Sequence, residues 1–206
     1  MAHIPDGVLS VPVLITGALV SVTLLGAALR RLDYQHLPQA AVLSAAFFVA
    51  SLITIPAGPA SVHLLLNGLM GLLLGWTAVP ALVVALGLQA AFFGYGGLLV
   101  LGVNAMNLLL PALLCALLLR PMLRRPADRS PFGIGVAAGA LGVLMTATLM
   151  ALCLVASRQS FLPAAQILLL AYLPLALVEA LITGAVVAFL QRVDPQLLKG
   201  EEVSGV

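Results

Sequence analysis

Charge is what this sequence has least of. Only 8% of its 206 residues are Asp, Glu, Lys or Arg, against roughly 25% in a soluble globular domain. Between Asp33 and Arg120 there is none. So long an uncharged stretch does not face water, and it suffices for about four membrane crossings at ~20 residues each. Lysine is scarcer still, with Lys199 the one example. A phosphate-cradling Gly-x-x-x-x-Gly-Lys-Ser/Thr loop needs its lysine to reach the phosphates. ATP hydrolysis by that route is therefore excluded, as is a Schiff-base lysine inside a bundle. Any work against a gradient draws on an ion gradient or on another subunit. The two cysteines, Cys115 and Cys153, lie in apolar runs; they read as small buried hydrophobes and form no metal-ligand pair.

What is present is apolar. Hydrophobic residues make up 63% of the chain and the mean hydropathy is +1.20, which excludes disorder, nucleic-acid binding and a disulfide scaffold. The opening MAHIPDGVLS has no positive n-region, and Pro5 and Gly7 precede its apolar run. It is not a secretory signal, and the amino terminus is expected to stay in the working protein.

Runs punctuated by Pro, Gly and Arg predict an all-α integral membrane protein, a bundle of about seven transmembrane helices. The expected crossings are 8–29, 38–55, 62–74, 78–93, 104–119, 132–156 and 163–190, with the third and fourth abutting at Gly75-Trp76. One transmembrane domain is expected: an N-terminal segment 1–7, a bundle 8–190 and a tail 191–206. In this threading Arg30, Arg31, Arg120, Arg124, Arg125, Arg129, Arg192 and Lys199 share one side, and only Arg158 falls on the other. The positive-inside rule makes the shared side cytoplasmic. The N-terminus is then outside and the C-terminus inside. Gly68, Gly71 and Gly75, and Gly135, Gly139 and Gly142, allow close helix approach. No internal repeat suggests inverted halves.

Polar groups are costly in lipid, which gives the few present weight. The uncharged stretch holds His63, Asn67, Gln89, Asn104 and Asn107. His63 and Asn104 are expected near the outer ends of their helices, on the side of His3, whereas His36 sits with Asp33 in the first cytoplasmic loop. A lone histidine in an apolar helix is ordinarily a core residue, but His3 has further chemistry available. A terminal amine, the next residue's amide nitrogen and its imidazole chelate one ion in a planar set, a geometry suited to Ni(II) and Cu(II). If Met1 stays, Met1-Ala2-His3 fills all four positions. If Met1 is trimmed, Ala2 supplies the amine, His3 supplies amide and imidazole, and a fourth position is left for His63. Trimming before a small residue such as alanine is the favoured form. Pro5 stiffens the chain beyond the chelate, and Asp6-Gly7 reads as a turn, with Asp6 a helix cap or an acceptor behind the ligands.

In IPAGPASVH two prolines and a glycine break the helix, so a rigid loop is expected before His63, with Ser61 as a supporting partner. Irregular backbone at this depth is tolerated where it is buried or lines a cavity. A second loop, Gly94-Tyr95-Gly96-Gly97 followed by Gly102, Asn104 and Asn107, has glycines for close approach to an inserted segment. Glu179, the only acid expected within the membrane, is placed in the inner half and away from the histidines, for structure or coupling rather than ligation.

His-Ile-Pro-Asp-Gly at the amino end resembles the hallmark of the CbiM/NikM family, the substrate-binding components of energy-coupling-factor transporters for cobalt and nickel. Ser61-Val62-His63-Leu64 resembles that family's second metal motif, and the stretch from Gln89 to Gly97 with Gly102-Val103-Asn104 is similar to its third signature. Leu173-Pro174 through Glu179 to Thr183 looks like its last helix. The resemblance implies a seven-helix S component whose N-terminus inserts into the bundle. It implies metal ligands at the Ala2 amine and at His3 and His63, with Met1 removed and with Asp6, Ser61, Gln89 and Asn104 in support. The family usually begins Met-His, and here Ala2 intervenes. The resemblance further implies a coupling (T) subunit, ATPase subunits and a small accessory membrane subunit, in a bacterial or archaeal cytoplasmic membrane. Ni(II) or Co(II) is then the transported substrate, and no cofactor, enzyme activity or nucleic-acid partner is expected. Readings of other classes are a proton-coupled metal carrier built on Glu179, or an intramembrane hydrolase using His63 and a serine, although no Gly-x-Ser-x-Gly occurs.

Overall fold

The computed structural model describes residues 3–57, 60–124 and 130–199. Nine helices occur among them: α1 (Val11–Leu29), α2 (Leu37–Ala50), α3 (Asn67–Leu74), α4 (Ala78–Phe93), α5 (Leu101–Leu118), α6 (Arg120–Arg124), α7 (Pro131–Ser157), α8 (Leu162–Val193) and α9 (Gln196–Lys199). Proline sets four of the starts, standing in the first turn of α1, α2, α7 and α8. There its missing N–H costs nothing and its fixed φ already suits a helix. Gly94, with φ +64°, closes α4 in the left-handed conformation.

Five helical stretches are long and apolar enough to cross a membrane: α1, α3 with α4 (Asn67–Phe93), α5 with α6 (Leu101–Leu123), α7, and Gln159–Val193. The seven expected segments all have a helical counterpart, but two are short. The second stops at Ala50 rather than at residue 55. The third begins at Asn67 rather than at residue 62 and is eight residues long. Between them runs a two-stranded antiparallel hairpin of β1 (Thr54–Ala57) and β2 (Ala60–His63), pairing Thr54 with His63 and Ala57 with Ala60. Pro56 is a physical reason, since it removes a donor that a continuing helix would need. Across a hairpin most backbone groups still find partners, which makes it admissible inside a bundle.

All eight residues of α3 are buried, so this short helix is the axis of the bundle and meets protein on every side. Around it lie α5 and α7, and α5 in turn carries α1 and α4. Helices α7 and α8 form an antiparallel pair in contact along their length. Gly139 lies so close to α8 that a Cβ there would come 2.5 Å from the Glu179 carbonyl oxygen. On α1 the residues Val11, Ile15, Leu19 and Val22 point outward, an apolar stripe of the kind that meets hydrocarbon.

Candidate functional site

Residues 3–10 fold back over the bundle as a strap. His3, Ile4 and Leu9 are buried, and the strap's polar attachments go to the segment 96–104 and to Ser157. Ile4 donates its N–H to Asn104 Oδ1 (3.1 Å) and accepts from Asn104 Nδ2 (3.1 Å), so one side chain on α5 replaces a paired strand. Asp6 donates its N–H to the Gly96 carbonyl (2.8 Å), and its carboxylate accepts the Val100 N–H (2.9 Å). Ser10 donates its N–H to Ser157 Oγ (3.1 Å). The glycine loop makes room for this. Gly96 and Gly97 have φ of +78° and +114°, and a Cβ on Gly97 would run into the Asp6 carboxylate.

The strap brings His3 against His63. Their Nε2 atoms are 3.3 Å apart, and the two residues are 6% and 3% exposed. His63 Nδ1 lies 2.9 Å from the Leu64 carbonyl oxygen. A carbonyl only accepts, so Nδ1 carries the proton and Nε2 presents its lone pair toward His3. That is the arrangement of a metal-ligating histidine, whose second nitrogen donates to a fixed acceptor. Burial, and after it the neighbouring His63, pulls His3 down to about 3. The neutral imidazole is the form that binds a metal.

Of the residues singled out from the sequence, His3, His63, Asp6 and Asn104 come together. Gln89 is fully buried and donates from Nε2 to Ser51 Oγ (2.9 Å), while its Oε1 has no hydrogen bond. Met1 and Ala2 lie outside the described residues. Ser61 stands in β2 opposite Pro56, but its side chain lies outside the described part. No group of three His, Cys, Asp or Glu side chains gathers among the described residues; what the structure provides is an imidazole pair in a polar cradle. Asn107 and Asn67 are also buried, Asn67 donating to Thr146 Oγ1 (2.9 Å).

Glu179 corrects the expectation that kept it away from the histidines. Its carboxylate accepts the N–H groups of Leu65 and Leu66, two and three residues beyond His63. The hairpin carries His63 inward until it meets the middle of α8, so the histidine lies deeper than a helix end. Sequence reading also gave no role to Tyr95, whose ring stacks on His3 at 6.0 Å between centroids. The signal was an aromatic residue among the loop glycines.

Over residues 3–197 the chain matches the family model described as the cobalt uptake substrate-specific transmembrane region, CbiM. A putative metal transport protein of Haemophilus influenzae is 37% identical over 202 residues, covering 97% of this chain and 98% of that protein. A putative cobalt transport protein of Methanocorpusculum labreanum is 31% identical over 193 residues, 84% of this chain and 82% of the other. A fused nickel transport protein of Rhodobacter capsulatus is 39% identical over 112 residues, 52% of this chain and 32% of its own length. Among solved structures, a transition metal transporter superposes with a TM-score of 0.82 at 28% identity, over 93% of both chains. With its apolar helices and these relatives, the chain is a multi-pass cell-membrane protein of cobalt or nickel uptake, and it belongs to the CbiM family of substrate-specific transmembrane components.

Proposed function

We propose that this chain captures Ni(II) or Co(II) as the substrate-specific subunit of an ATP-driven energy-coupling-factor importer. The donors are all nitrogens: the amine of Ala2 after removal of Met1, the amide and imidazole of His3, and the imidazole of His63. Asn104, Asp6, Gln89 and Ser61 hold them in place. The observation that carries this reading is the 3.3 Å between the facing Nε2 atoms of His3 and His63, residues far apart in sequence. The contact brings the two rings into one buried site, 5.1 Å between centroids, within reach of a single ion. A chelate through the His3 amide closes its six-membered ring through Nδ1, so it requires the His3 imidazole to turn from its present orientation.

The wider assembly is what the resemblance to energy-coupling-factor components implies. Seven crossings with the N-terminus outside gather eight of nine basic residues on the cytoplasmic side. ATP hydrolysis then belongs to separate ATPase subunits, joined through a T subunit and a small accessory membrane subunit, and the absence of a phosphate-loop lysine agrees with this. Glu179, whose oxygens accept backbone N–H groups, fits a structural hold better than a travelling proton.

Calorimetric and spectroscopic titration of the detergent-solubilised chain with Ni(II) and with Co(II) tests the reading. His63→Ala is expected to weaken binding at least ~100-fold, since removal of a direct ligand exceeds the 10–100-fold typical of a supporting residue. A short N-terminal extension is expected to abolish binding, and intact mass reports whether Met1 is gone. Unchanged affinity in both variants overturns the proposal.

A further inference from the structure

An ionisable side chain at the centre of a membrane bundle is expensive, and Glu179 is 1% exposed. What it touches is main chain. Its Oε1 accepts the N–H of Leu65, and both oxygens accept the N–H of Leu66, at 3.0 and 3.1 Å. Leu66 has φ +47° and ψ +8°, a left-handed conformation that is uncommon for a side chain of this size. It turns the chain into α3 and aims two successive N–H groups at the same carboxylate.

The Leu65 N–H belongs to one rigid peptide unit with the Leu64 carbonyl, and in a trans peptide these groups point in opposite directions. Glu179 holds the N–H edge. The carbonyl edge holds His63 Nδ1 at 2.9 Å. A rotation of this plane that released Glu179 would also swing the carbonyl off the imidazole. The carboxylate additionally polarises the peptide and makes its carbonyl the stronger acceptor.

We propose that Glu179 is a positioning residue for His63, acting through the Leu64–Leu65 peptide unit to fix the imidazole with Nδ1 protonated and Nε2 free toward His3. Histidine ligands are commonly set by a carboxylate that accepts the second ring N–H directly; here one peptide unit is inserted between carboxylate and ring. The inference rests on the metal-binding reading, in which the free Nε2 is a ligand.

The test uses the full chain in detergent, with Ni(II) as probe, in the parent, Glu179→Ala, Glu179→Gln and His63→Ala. Glu179→Ala is expected to weaken Ni(II) binding roughly 10- to 100-fold and to shift the ligand-field band of the bound ion. Glu179→Gln keeps an acceptor oxygen and is expected to return affinity to within about tenfold of the parent, the difference between a charged and a neutral acceptor. Without metal, nitrogen-15 spectra of histidine-labelled protein report the ring directly: His63 is expected to be protonated at Nδ1 in the parent and in Glu179→Gln, and to become a tautomer mixture in Glu179→Ala. Should Glu179→Ala fail to fold, the glutamine variant decides through the His63 Nδ1 proton: a neutral amide polarises the Leu64 carbonyl less, so that proton is expected to move upfield, and an unmoved proton overturns the inference.

A role confined to capping α3 would lower thermal stability and leave affinity, band and tautomer where they were, and that result overturns the inference. The two readings fail separately. If His63→Ala binds Ni(II) like the parent, metal binding at this site is wrong; if His63→Ala loses binding and Glu179→Ala does not, only the assignment of Glu179 is wrong.

Discussion

The two histidines that face each other are mounted in different ways. His3 rides on a strap that a neutral side chain holds: the Asn104 carboxamide donates to and accepts from the same residue, Ile4, as a neighbouring strand would. His63 ends a hairpin that a carboxylate holds, and Glu179 only accepts, from two successive N–H groups. The strap is fastened to α5 and the hairpin to α8. Two-way pairing needs a group with both polarities, and that group can be uncharged. One-way capture of two donors suits an anion, whose desolvation those bonds offset. The difference predicts opposite responses to charge at the two mountings: adding it at residue 104 is harmful, and removing it at residue 179 is tolerated.

Asn104→Asp gives the largest effect expected of this comparison. The replacement has nearly the same shape, yet it cannot donate to the Ile4 carbonyl and sets a carboxylate against it. A carboxylate buried against a carbonyl with no donor is costly, and a strap that swings away to avoid it takes His3 along. Ni(II) affinity is expected to fall about 100-fold or more, measured by calorimetry. If Asn104→Asp binds as the parent does, the carboxamide is not what fastens the strap. Asn104→Ala comes next. It leaves the Ile4 N–H and carbonyl buried without partners, and the expected loss is roughly 10- to 100-fold. An intermediate Kd for Asn104→Ala, between parent and Asn104→Asp, is the order the comparison demands.

The sequence made much of this legible. The fourth expected crossing, 78–93, is α4 to the residue, because Thr77 and Gly94 bound a run that is apolar but for Gln89. Asp6 and Asn104 stand where a strap would need them, since a polar group in lipid is kept only with a partner. Depth was not legible. Hydropathy measures the length of an apolar run and is blind to whether its ends are helix or strand, so the loop expected before His63 is a hairpin whose strands take in Thr54, Ile55, Val62 and His63, residues expected to belong to the flanking helices. The height of Glu179 against His63 depends on how α8 slides along α7, which is set by contacts such as Gly139 against the Glu179 carbonyl. Those contacts pair residues far apart in the chain, and no local pattern announces them.

Gly97→Ala tests the strap from its other side. At φ +114° an L residue is strained at a cost of order 1–3 kcal/mol, and the new methyl group meets the Asp6 carboxylate. A lower melting temperature in detergent is expected. Adding Asp6→Ala is expected to recover the part of the loss that comes from the clash and not the part that comes from φ. Full recovery in the double variant would mean that backbone conformation contributes nothing at this glycine.

The smallest effect is expected behind the pair, at Ser51. Its hydroxyl donates to the Phe48 carbonyl (2.6 Å) and accepts from Gln89 Nε2, so it ties α4 to the last turn of α2, where the chain leaves for the hairpin. Ser51→Ala leaves the Gln89 amide without a partner at full burial, which costs ~1–3 kcal/mol when nothing replaces the bond. Gln89 has one way out, a rotation of its carboxamide, so the loss is expected at the lower end of that range. Thermal unfolding reads the loss. Ni(II) affinity is expected to stay within about threefold, because each histidine keeps its own fastening, and ~0.6 kcal/mol would already exceed that margin. A large affinity loss in Ser51→Ala would break the comparison at its root, since the two mountings would then share a support on α2 and α4 and would not be independent.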